Sequence, residues 1–218
     1  MDYIITMKEE TGHQGDIDIV CHSTGACIAR YMLEVIDGKA RNIKVRQLIG
    51  LGPANNGSSM AELFNDPELG EETIGQLSGV FVPRRFDPSN DLIVQEMRPK
   101  SCTTVELLSA GIRDDITYRS ILSANKTKNP EFFPCFEGKT WNLSPDRLWE
   151  TTYDGDGVVS HCDSRLPGSG FDILPADPSF LDGNPEDYCH IRLPRNKEVI
   201  NRVIEYLIDP DTTPSSYW

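Results

Sequence analysis

The stretch Asp16–Ile36, DIDIVCHSTGACIARYMLEVI, constrains the fold more than any other part of the chain. A short β-rich run, Asp16–Cys21, stops at His22-Ser23-Thr24-Gly25, and a helical pattern begins at once. Ile28, Tyr31, Met32, Val35 and Ile36 recur at the spacing of one helix face, which predicts a helix over 24–36. A strand that passes into a helix through small residues around a serine has the layout of a nucleophile elbow. The tight turn holds the serine in a strained conformation and exposes its Oγ. Residues two positions to either side of it must be small. Gly25 meets that need, and Cys21 stands where the G-x-S-x-G pattern has its first glycine. Taken alone, the same five residues also read as an ordinary β–α turn in which Ser23 caps the helix.

The rest of the chain follows an α/β plan. A short helix is predicted over Met1–Glu10, and Asp37-Gly38 closes the elbow helix. Val45–Leu51, VRQLIGL, is a second buried strand, and the length of the crossover makes the pair parallel. A turn-dense loop, Gly52–Ser58, follows, and Ser58–Phe64 opens a helix. The segment 64–111 is punctuated by prolines and has little periodicity, so it reads as a lid-like or cap-like insertion before a strand at Asp115–Ser123. Asn125–Leu148 reads as irregular, Thr151–Gly157 as a turn and Val158–Arg165 as a short helix. Phe171–Leu174 is the last strand. Val199, Val203, Ile204, Leu207 and Ile208 mark an amphipathic C-terminal helix, with a frayed tail from Asp209-Pro210 onward. The expectation is one domain over 1–218, with a mostly parallel sheet and flanking helices.

Composition narrows the partners. The chain has 218 residues, enough for a substantial core, and its 34 acidic against 21 basic residues give a net charge of −13. That excess repels phosphates, so nucleic acid is not an expected partner. No run reaches the roughly 18–20 apolar residues of a membrane span. The mixed, acidic start MDYIITMKEETG is unlike a secretory signal, and the chain as written is expected to be cytoplasmic with reduced thiols. The six cysteines form no C-x-x-C pair, and the D-x-D-G run at Asp154 lacks the glutamate that closes a calcium loop, so neither metal nor cofactor is expected. A Cys162–Cys189 bridge is the one disulfide to consider, should an exported portion precede the chain.

Four runs, DIDIVCHSTGACIARYML, LIGLGPANNGS, DGDGVVSHCDSRLPG and CHIRLPRNKEVINRVIEYL, resemble successive motifs of lipase-type α/β hydrolases. The family's elbow commonly reads A-H-S-M-G, a later N-D-G-x-V turn supplies an acid, and a histidine precedes the last helix. The resemblance implies Ser23 as nucleophile, His190 as general base and Asp156 as the acid that holds the imidazole, with Asp154 as the alternative acid. It implies the Thr24 backbone N–H as half of an oxyanion hole. His22 is expected to pack beside the site, and His13 and His161 to be solvated, with His161 an outside candidate for the base. The implied activity is hydrolysis of an ester or lipid through an acyl-enzyme. An acyltransferase of the lecithin–cholesterol type and a non-catalytic remnant or binding module are the alternatives. In that family the elbow strand follows several others. The chain therefore reads as N-terminally incomplete, with Asp16–Cys21 at a sheet edge that a missing segment or a partner chain would complete.

Overall fold

The computed structural model describes residues 1–218. In chain order the elements are α1 (Asp2–Thr11), β1 (Ile17–His22), α2 (Thr24–Arg30), β2 (Val45–Leu51), α3 (Ser59–Leu63), α4 (Gly70–Leu77), α5 (Leu92–Glu96), α6 (Cys102–Ala110), β3 (Thr117–Ser123), β4 (Thr140–Leu143), β5 (Trp149–Thr152), α7 (His161–Ser164), β6 (Gly170–Leu174), α8 (Lys197–Ile208) and β7 (Ser216–Tyr217). No helix is long and apolar enough to cross a membrane.

The main sheet has the order β1-β2-β3-β6-β7. Its first four strands are parallel, with Ile19 beside Leu48 and Leu48 beside Tyr118. β2 lies next to the edge and is buried except at Arg46. Its near-continuous apolar sequence follows from cover on both faces. Leu48 and Ile49 point to opposite faces and join separate core clusters, the larger built around Ile49, Ile121, Phe132, Leu193 and Val199. β1 is the edge strand, with β2 as its only partner.

The helix predicted over 24–36 is present but changes type. It is α-helical to Arg30 and π-helical over Tyr31–Ile36. Its buried face also differs from the periodic one: Ile28 and Ile36 are exposed, while Ala26, Cys27, Arg30, Leu33 and Glu34 face inward. The cause is a satisfied polar pair. Arg30 grips both carboxylate oxygens of Glu34 at 2.9 Å and donates to the Asn55 carbonyl at 3.0 Å. Buried charges are tolerated when paired and fully bonded. Gly38 lets the chain leave the helix, since a Cβ there would lie 2.1 Å from the Glu34 carbonyl oxygen.

Other expectations need correction. Asn125–Leu148 is not wholly irregular, because β4 pairs antiparallel with β5 in a separate two-stranded sheet. The tail is not frayed: Ser216 and Tyr217 pair with Phe171 and Gly170, and Trp218 stacks on Phe171 at 4.1 Å. On α8 the periodicity marks Ile204 and Ile208 as core, yet both are exposed and Tyr206 is buried instead. The Tyr206 hydroxyl donates to Asp172, a bond that apolar counting does not register. All six cysteines are free. Cys189 lies in the core and Cys162 at the surface, so the bridge considered above is not formed.

Asp163 at the end of α7 ties the layers together. Its buried carboxylate accepts from the Ser59 N–H at 2.9 Å and the Ser59 hydroxyl at 2.8 Å. Burial pushes its carboxyl up to about 6, with those bonds opposing the rise. A carboxyl raised in the folded state binds more protons there than when unfolded. Stability is therefore greatest below the unfolded value near 3.8 and falls as pH rises towards 6. Wild type should lose of order 2–3 kcal/mol through this group between about pH 4 and 7. Asp163→Asn should lack that loss, as urea midpoints of the two proteins at both pH values will report.

Candidate active site

The C-terminal ends of the parallel strands hold the polar residues, as open α/β sheets direct. β1 ends at His22, and Ser23 follows with φ 55° and ψ −130°, a conformation costly for a residue with a side chain. The Ser23 N–H is anchored on the Leu51 carbonyl at 3.0 Å. A Cβ on Gly25 would sit 3.6 Å from the Cys21 Cβ, an ordinary contact, so the two positions face one another across the turn with room for small side chains. Burial pushes the Cys21 thiol up to about 12, so it stays protonated.

Ser23, His190 and Asp156 meet. The Ser23 Oγ lies 2.8 Å from His190 Nε2, and His190 Nδ1 lies 2.7 Å from Asp156 Oδ2. A carboxylate only accepts, so in neutral His190 the proton sits on Nδ1 and Nε2 is free to accept from the serine hydroxyl. Both His190 and Asp156 are buried. The other carboxylate oxygen of Asp156 accepts from the Val158 and Val159 N–H groups at 3.1 and 2.7 Å, and its carbonyl accepts from the His190 N–H at 2.8 Å. Asp156 is thus fixed by its own turn and bonds to His190 twice.

Asp154 is exposed and makes no contact with His190; its carbonyl accepts from the His161 N–H. His161 is half-buried. Its Nε2 is bonded to the Ser123 carbonyl at 2.9 Å, away from Ser23. His13 is exposed near Asp16. His22 packs against His190 at 4.5 Å between ring centroids and donates to the His190 carbonyl at 3.0 Å. Burial and the neighbouring His190 hold its ring below the usual histidine range, keeping it neutral. Phe81 meets His190 edge-on at 6.2 Å. Thr24 is the first residue of α2, a position whose N–H has no partner within its own helix.

One residue of the site lies outside the sequence expectation. Gly52 follows β2 with φ 48°, and a Cβ there would stand 2.5 Å from Asp156 Oδ2 and 3.2 Å from His190 Nδ1. The glycine at the end of a buried strand was the available signal, but it reads equally as turn punctuation.

A cavity of about 260 Å³ opens at Ser23 and Thr24, walled by Met60, Phe64, Phe81 and Val159. It offers a polar head and an apolar body.

No protein-family model and no curated protein matches the chain. Among solved structures it is similar to the Bacillus licheniformis lipase BlEst2. The propeptide form aligns with a TM-score of 0.51 and 14% identity, over 100% of this chain and 40% of that one. The mature form aligns with a TM-score of 0.50 and 13% identity, over 95% of this chain and 70% of that one. The chain therefore spans less than half the length of the propeptide form. At such identities the likeness is one of architecture, and the fold of this chain is α/β-hydrolase-like.

Proposed function

We propose that the chain acts as a serine carboxylic-ester hydrolase of lipase or esterase type. The observation that carries this reading is the hydrogen-bonded line from Asp156 through His190 to a strained Ser23, with both bonds under 3 Å. His190 takes the serine proton as Oγ attacks the ester carbonyl. Asp156 holds the imidazole in place and stabilises the imidazolium that forms. The carbonyl oxygen becomes an oxyanion, and the Thr24 N–H at the head of α2 stabilises it. The tetrahedral intermediate collapses, His190 returns the proton to the leaving alcohol, and an acyl group stays on Ser23. Water then repeats the sequence and frees the acid.

The segment 64–111 is the cap of the site in this reading, since Phe81, Ile93 and Met97 wall the cavity. It is also rooted in the core through Leu77, Val82 and Leu107. The free side of β1 is where a further strand would join, from another segment or another chain. Val20 on the strand, with Ile200 and Ile204 on α8, borders an apolar groove there.

The discriminating test separates the two carboxylates. Asp156→Asn should lower kcat on p-nitrophenyl butyrate about 10⁴-fold, because an amide favours the wrong imidazole tautomer. Asp154→Asn should leave kcat at the wild-type level. A full rate in the first variant, or a comparable loss in the second, would remove Asp156 from the assigned role.

A further inference from the structure

Two apolar chambers meet at α5. The first is the 260 Å³ cavity beside Ser23. The second, of about 470 Å³, is lined by Cys27 and Ile28 of α2, Tyr31 just beyond it and Leu107 of α6. Thr24, Ile93 and Met97 line both. Alone, the first is smaller than the roughly 300–1,000 Å³ usual for ligand cavities; joined, the two fall within that range. Thr103 and Thr104 in the second wall turn their hydroxyls to Glu96, and most of the other lining side chains are apolar. This chamber also accounts for the exposure of Ile28, which the helical pattern marks as core.

The partition is slight. α5 contains no buried residue, and Ile93 is 60% exposed. Its start is held by the Asp91 carboxylate, which accepts from the Val94 N–H at 3.0 Å. Met97 just beyond it is 8% exposed, and a methionine is unbranched with three rotatable bonds, so it can make way for a chain of methylenes.

Which half of an ester enters follows from the proton path. The leaving oxygen must lie against His190 Nε2 to be protonated. Ser23 lines the first chamber and His190 does not. The part of the substrate that stays on Ser23 therefore points into the chambers, and the alcohol departs on the histidine side.

We propose that Ile93 and Met97 form a passage between the two chambers, and that one unbranched acyl chain threads both, so that these side chains set the chain lengths hydrolysed. The inference rests on the ester-hydrolase reading of Ser23. Bulk at the passage should exclude long chains, and space should admit them.

The test uses the natural full-length protein with p-nitrophenyl butyrate and palmitate. Ile93→Trp should lower the palmitate-to-butyrate ratio of kcat/KM about tenfold or more, and Ile93→Ala should raise it. Position 93 is exposed, so both variants are expected to fold, and a far-ultraviolet circular dichroism spectrum verifies that. Palmitate binding, followed by tryptophan fluorescence in a Ser23→Ala background, should weaken with Ile93→Trp. A ratio and a binding constant both insensitive to residue 93 overturn the passage. Failure of the underlying reading shows differently, as turnover that survives Ser23→Ala. Palmitate binding then still decides whether the passage exists.

Discussion

Alanine at position 23 is expected to lower kcat on p-nitrophenyl butyrate about 10⁶-fold. The hydroxyl is the only group in the site both aligned with His190 Nε2 and held in a strained, half-exposed turn. Without it the attacking atom is gone, and residual catalysis falls to what the Thr24 N–H and the cavity supply. Cys21 cannot substitute, because its buried thiol stays protonated. The fold should tolerate the change, since the Ser23 backbone bond to Leu51 is retained. Steady-state rates with matched urea midpoints separate chemistry from folding. A variant that keeps even a tenth of the wild-type rate would refute Ser23 as nucleophile.

Gly52→Ala is expected to lower kcat about 10²-fold, although residue 52 carries no side chain of its own. The methyl group would occupy space 2.5 Å from Asp156 Oδ2, so the carboxylate must move. Displacement of about 1 Å in a catalytic group costs roughly 10²-fold in rate. The loss should fall on kcat with little change in KM, because the cavity at Ser23 is lined by other residues. The left-handed backbone of Gly52 adds a conformational cost of about 1–2 kcal/mol for any residue with a Cβ. Urea unfolding would register that cost separately from the kinetics. Wild-type kcat in this variant would mean that Asp156 has slack the geometry does not show.

The parts of the fold that sequence reveals are those governed by local pattern. β2 stands where the run VRQLIGL places it, because a strand covered on both faces must be apolar throughout. The turn at Ser23 is legible because its geometry restricts the neighbouring residues to small ones. Ser23, Asp156 and His190 are legible only through their order along the chain and the motifs around them. What pattern misses is pairing at a distance. Arg30 and Glu34 look like solvated helix residues until each is seen to satisfy the other beneath the elbow. β4 and β5 are four residues each and gain their order from one another. Tyr206 displaces the isoleucines of α8 from the core because Asp172 waits for its hydroxyl. Gly52 escapes for a related reason, since its neighbour across the site is 104 positions away in sequence.

The separation of the site along the chain has a consequence for how it comes into being. Ser23 and His190 are 167 residues apart, and His190 and Asp156 are 34 apart. Along the chain, β2, β3 and β6 and their connecting loops lie between β1 and His190. No early hairpin or helix contains two of the three groups, and closing so long a loop is slow and entropically costly. The alignment of the three groups therefore depends on the docked sheet and not on any local element. On the ester-hydrolase reading, a chain with the elbow in place but His190 undocked would hold Ser23 without a base and be chemically silent.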